Sequence, residues 1–227
     1  MDRLFRLIIV PMATAASLGA QGDTTQPIAV ERRLTSNLEL HQVSVLGASV
    51  TVLKALARPG GIVSLSAGDC FSKEQKSIFV PWGLDLRGAL DIIVEGSSSS
   101  WTMNDGVVNV FLRTNLPDVM ALRIESYQWN TRDLARPVIS RLFALDHVRT
   151  FLAQRGIVGG VQSLVIPEKA SRLINGVPEK PIGKDYSLKD TTLLDALNRI
   201  VASYGDAVWL YEESLCGGRR EYRVSAR

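Results

Sequence analysis

Five apolar residues recur in the same order and spacing in two distant parts of this chain: Leu86, Ala89, Leu90, Ile93, Val94, and then Leu193, Ala196, Leu197, Ile200, Val201. The offset is constant, 193 − 86 = 107 and 201 − 94 = 107. Spacing of i, i+3, i+4, i+7, i+8 puts each set on one face of an α-helix. A helix face repeated at a constant offset implies a repeated fold unit, so two copies of one arrangement of helices and strands must be accommodated.

The residues around the first copy predict its surroundings. Ala48 to Ala57 has Val52, Leu53 and Leu56 on one helical face, although Val50-Thr51-Val52 also suits a strand; the ending Ala57-Arg58-Pro59-Gly60-Gly61 favours the helix. Ile62-Val63-Ser64-Leu65 and Ser77-Ile78-Phe79-Val80-Pro81 read as strands, and Leu84 to Glu95 as the repeated helix. The serine run 97–100 reads as a turn. Trp101-Thr102-Met103 and Val107-Val108-Asn109-Val110-Phe111 flank Asn104-Asp105-Gly106, a tight-hairpin signal.

The second copy follows Asn115-Leu116-Pro117-Asp118, which punctuates the boundary. Leu122 to Ser126 alternates as a strand, and Thr131 to Arg155 is helical in pattern, with Pro137 placed to start a second helical segment. Leu152-Ala153-Gln154-Arg155-Gly156-Ile157-Val158 resembles Leu56 to Val63, at an offset of 96 (152 − 56) and then 95 (157 − 62). The later helix sits at 107, so the second copy carries an insertion, placed at 167–183, rich in Pro, Gly, Lys and Glu. Tyr186 lies 107 residues after Phe79, Trp209-Leu210-Tyr211 and Glu221 to Val224 read as a closing hairpin, and Cys216-Gly217-Gly218 reads as the loop between them. The resulting expectation is an α+β chain of two tandem small domains, each a short mixed or antiparallel sheet with two helices packed on it. The expected boundaries are a signal peptide at 1–22, a flexible leader at 23–41, a first unit at 42–114 and a second at 118–227.

The signal peptide is read from Arg3 and Arg6, the apolar run from Leu7 to Ala16, and the small residues behind it. An N-terminal membrane anchor is the alternative, disfavoured by Pro11, and no other stretch suits a membrane span. The chain is therefore expected in the periplasm or secreted, with no stable membrane span once the signal is removed. Removing Asp2, Arg3 and Arg6 changes a formal charge of +3 to +2, a balance that does not predict nucleic-acid binding. The basic cluster Arg219, Arg220, Arg223, Arg227 reads as a solvated strand and tail, with an anionic-ligand site as the alternative.

Motifs for catalysis are missing: no Gly-x-Ser-x-Gly, no Gly-x-x-x-x-Gly-Lys, no His-Glu-x-x-His, no Cys-x-x-Cys. His41 and His147 with two cysteines do not assemble a zinc-binding pattern, and Glu212-Glu213 or Asp69 read as solvated charge rather than an acid and base. No catalytic residue, metal or cofactor is expected. Cys70 and Cys216, one in each half, are the disulfide candidates in an oxidising compartment; the sequence leaves open whether they meet. Trp101 and Trp209 each follow a repeated helix and are expected to pack on it, whereas Trp82 and Trp129 have no such counterpart and are the candidate binding residues.

Ala55-Leu56-Ala57, Gly61-Ile62-Val63-Ser64-Leu65, Phe79-Val80 and Leu86-x-x-Ala89-Leu90, in that order, resemble the secretin and TonB receptor short N-terminal domain family. The likeness covers about 48–112 and, more loosely, about 140–225; no outer-membrane barrel or secretin pore domain follows, and the second copy has its own insertion. The resemblance implies a non-enzymatic envelope module that binds another protein, through an exposed sheet edge. The alternative expectation is a cell-wall or glycan binding protein or hydrolase using exposed tryptophan and the inserted loop.

Overall fold

Ser44, Asp85 and Thr192 lie in extended backbone, and each accepts a hydrogen bond from the amide three residues on, at Gly47, Gly88 and Asp195. These are N-caps, which satisfy amides that the first helical turn leaves unpaired. Two of the three start the duplicated helices. The computed structural model describes residues 32–69, 75–112, 116–161, 173–174, 177–178 and 183–227.

In chain order the first half contains β1 (Leu38–Val43), α1 (Val45–Ala55), β2 (Gly60–Asp69), β3 (Lys76–Val80), α2 (Leu86–Val94), β4 (Ser99–Asn104) and β5 (Val107–Leu112). A 3-10 turn at Asp118–Ala121 leads into the second: β6 (Arg123–Asn130), α3 (Ala135–Phe143), α4 (Asp146–Gln154), β7 (Ile157–Val161), β8 (Leu173–Ile174), β9 (Val177–Pro178), β10 (Asp185–Thr192), α5 (Leu193–Tyr204), β11 (Val208–Cys216) and β12 (Arg219–Ala226). The repeat is visible in the pairings. β1 pairs antiparallel with β3 as β6 does with β10, β4 with β5 as β11 with β12, and β2 runs parallel to β5 as β7 does to β12.

The α+β class holds, but the two halves do not keep separate main sheets. β2 of the first half pairs in parallel with β11 of the second, from Gly60 opposite Val208 to Ser66 opposite Ser214, giving one sheet in the order β4-β5-β2-β11-β12-β7. Arg32–Arg227 accordingly forms one compact unit. The reason lies in the side chains. Ile62, Val108, Val110, Val208 and Leu210 join the core under α1 and α2, while Val63, Val107, Trp209, Tyr211, Tyr222 and Val224 join a second core with α3, α4 and α5. Alternate residues point to opposite faces, so the helices of the two halves cover opposite faces of a shared sheet. Strands apolar on both faces stabilise only when both are covered.

Other details refine the sequence reading. The helix predicted over 131–155 is two helices, broken at Ala144-Leu145; Pro137 sits within the first turn of α3, where its missing N–H has no intrahelical partner to lose. Inside the stretch expected as a leader, 23–41, Leu34 is buried in the first core and β1 begins at Leu38. Asp105 and Gly106 both adopt positive φ (51° and 77°), as the tight hairpin requires. The signal peptide at 1–22 lies outside the described residues, as does 167–183 apart from the β8–β9 pair and Gly183. No helix among the described residues is long and apolar enough to cross a membrane.

Candidate functional site

The turn after β3 is held by backbone contacts to the segment before β1. Leu34 donates its amide to the carbonyl of Leu84 (2.9 Å) and accepts from the amide of Gly83 (2.8 Å), and the amide of Trp82 donates to the Asn37 side-chain oxygen (2.9 Å). Gly83 takes positive φ, 78°, which lets the chain reverse between Pro81 and α2. On this fixed turn the Trp82 side chain is 70% exposed. Three residues earlier, strand alternation turns Ile78 and Val80 inward and leaves Phe79 53% exposed, opposite Glu39 of β1. Two large aromatic side chains are thus presented, Phe79 on the β1–β3 ribbon and Trp82 on the hydrogen-bonded turn that follows it, with little backbone ordering left to lose on contact.

Trp129 occupies a different environment. It is 6% exposed, donates its indole N–H to Ser203 Oγ (3.0 Å), and stacks with Tyr186 across the β6–β10 pair at a ring-centroid distance of 5.3 Å. Tyr127 continues the stack at 6.1 Å. Of the two candidate tryptophans, the structure places Trp82 at the surface and Trp129 in the core. Beside this stack is a concave surface of about 450 Å³ lined by Asn130, Asp133, Arg141, Asp185 and Tyr186. Its polar groups are largely paired with one another: Arg141 with Asp133 at 2.6 Å, the Asn130 amide with Asp185 at 2.6 Å, and the Tyr204 hydroxyl with the Asp133 carbonyl at 2.7 Å. A ligand entering there displaces these contacts rather than filling vacant ones.

Glu213 is buried on β11, accepting from the Tyr211 hydroxyl (2.9 Å) and pairing with Arg220. That pairing assigns it to holding the β11–β12 hairpin, in a sheet rather than a reactive cleft. Trp101 and Trp209 do pack on their helices, and in matching ways: Trp101 Nε1 donates to Asp91 (2.8 Å) and Trp209 Nε1 to Asn198 (3.0 Å), equivalent helix positions since 198 − 91 = 107. Cys216 ends β11, buried and engaged in a disulfide; Cys70 lies outside the described residues. Among the described residues no three His, Cys, Asp or Glu side chains converge on a metal-sized site. Phe79 was not singled out as a binding residue from sequence, although the Ile78-Phe79-Val80 alternation already put it on the outer face.

Burial raises the tyrosines. The Tyr204 hydroxyl is pushed up to about 12 by burial and by neighbouring Asp133, and Tyr211 is raised by burial and by Glu213. Tyr127 and Tyr222 are raised by burial as well. An unfolded tyrosine releases its proton near pH 10, while these folded ones keep theirs. Stability from this source is therefore intact below about pH 10 and falls as pH rises through the folded values. Alkaline titration followed by tyrosinate absorbance and circular dichroism should show most of the signal appearing together with unfolding; full ionisation near pH 10 with structure retained would contradict it.

Compared with protein-family models, with curated proteins and with solved structures, the chain gives no match. The geometry of its own surface carries the functional reading.

Proposed function

We propose that this chain is a non-catalytic, exported protein of the cell envelope that acts by binding another protein, with the Phe79–Trp82 ribbon as its contact surface. The observation that carries the reading is the hydrogen-bonded turn displaying Trp82, three residues after exposed Phe79. Exposed aromatic side chains on a rigid frame are the usual energetic centres of protein interfaces. The resemblance of the duplicated unit to the secretin and TonB receptor short N-terminal domains supports the same class of role, and the N-terminal signal pattern supports the envelope. Cross-linking in intact cells should join the wild-type chain to a defined envelope protein. Phe79→Ser with Trp82→Ala should abolish that product and leave the melting temperature unchanged, because both side chains are exposed. An unchanged product from the double variant would remove the ribbon from the interface.

A second reading, a cell-wall or glycan binder, draws on the concave surface beside Tyr186, whose arginine, carboxylates and aromatic ring are groups that recognise sugars. Addition of peptidoglycan fragments should then shift tryptophan fluorescence through Trp129, and Arg141→Ala should cancel the shift. No shift in the wild type would set this reading aside.

A further inference from the structure

The junction between the two halves is heterologous: β2 of one meets β11, the counterpart of β4, of the other. β2 and β5 run one way and β4 the other; in the second half β11 alone runs with β2, and β12 and β7 are reversed. Within the shared sheet, β11, β12 and β7 thus each run opposite to their counterparts β4, β5 and β2, in the same lateral order, with the helices of the second half on the opposite face. One operation does this, a half-turn about an axis across the strands combined with a shift of three strands. Such an operation does not close on itself. Repeating it requires an edge like β4 to meet an edge like β7, and those are the two outer edges of the sheet among the described residues.

Both edges carry the apolar surface that the internal junction buries. Tyr211 is fully buried, while Met103, two residues after Trp101 as Tyr211 is after Trp209, is 53% exposed. Val63 is 2% exposed beneath the second half, while Val158, its counterpart at the offset of 95, is 48% exposed. Val158 alternates with Ile157, which faces the second core, so it lies on the face away from α3, α4 and α5. Gly160 shares that face and has open space where a side chain would stand. At the internal junction Trp209 lies over Gly61, whose counterpart at the offset of 95 is Gly156, just before β7, where a β-carbon would also meet nothing. Neither β4 (SSWTMN) nor β7 (IVGGV) contains a charged residue or a proline, the usual devices that keep sheet edges from pairing.

We infer that a second copy of this chain is the partner for these edges: β4 of one molecule adds in parallel to β7 of the next, continuing the sheet head to tail. This goes beyond the partner-binding reading and does not depend on it, because Trp82 and Phe79 take no part. Sedimentation of the full chain over a concentration series should show an open set of species climbing past the dimer. Met103→Lys blocks every β4 edge and Val158→Lys every β7 edge, so each variant alone should remain monomeric. Mixed, they should form a one-to-one pair and nothing larger, since one intact β4 and one intact β7 are available. Wild-type protein that stays monomeric throughout overturns the inference without recourse to any variant. Association that survives either substitution, or a closed dimer in the wild type, overturns it too.

Discussion

Gly61→Ala should lower stability by about 3 kcal/mol, the magnitude of an overpacked core, and lower the melting temperature by roughly 6–12 °C for a chain of this size. A β-carbon at Gly61 would stand 2.1–2.4 Å from the Cε2, Cζ2 and Nε1 atoms of Trp209. The ring cannot turn aside. It is fully buried, and its N–H is held by Asn198 on α5. The methyl group must therefore push β2 from β11 or drive the indole out of its hydrogen bond, and either strains the sheet junction between the halves. Unfolding should stay a single transition in the variant, because neither half keeps both faces of its strands covered alone. Gly160→Ala is the matched control: its β-carbon meets nothing, and the expected change in monomer stability is within about 0.5 kcal/mol. In a Trp209→Leu background the ring is gone, so Gly61→Ala should cost clearly less there. Urea melts of the four proteins measure the coupling; additive costs would show that the contact does not limit packing.

That junction was the least legible part of the sequence. The helix faces were written in 3.6-residue spacing and the hairpin in Asp-Gly, both local signals, and the structure has them where the residues put them. The parallel pairing of β2 with β11 joins residues 148 apart (208 − 60), and no local pattern encodes it. One sign was present. Val208-Trp209-Leu210-Tyr211 is a continuous apolar run, which marks a strand covered on both faces; the closing hairpin read from it is present, and β2 lies on its other side. The site divides in the same way. Trp82, between Pro81 and Gly83 with no apolar period around it, reads as exposed, whereas Trp129 shares the inward parity of Tyr127 on β6 and could have been assigned to the core. Asn109 had no such sign: it takes an inward position of β5, buried with no hydrogen-bond partner for its amide among the described residues.

Loss of the Cys216 disulfide should cost more than any single packing change, about 5 kcal/mol at the upper limit set by chain entropy for a loop of this length. Cys216 is buried at the last position of β11 and is disulfide-bonded. The chain contains one other cysteine, Cys70, and the strand register places Leu215 opposite Asp69, the residue immediately before each. A Cys70–Cys216 bridge would close a loop of 146 residues (216 − 70) and tie the far ends of the two junction strands, a span over which the unfolded chain loses much of its freedom. Reduction, or Cys216→Ser, should then lower the melting temperature by roughly 10–20 °C at 2–4 °C per kcal/mol. Alkylation of denatured protein, read by mass, should label no thiol without reductant and two with it. Two labelled thiols before reduction would dismiss the bridge. A bridge whose loss leaves the melt unmoved would show that the β2–β11 ladder and the Trp209–Gly61 contact hold the halves without it. The two perturbations act on the same seam from opposite sides of the folding equilibrium. Gly61→Ala strains the native junction, whereas reduction frees the unfolded chain. Applied together in one molecule, their costs should add unless the strained junction has already opened at its Cys216 end.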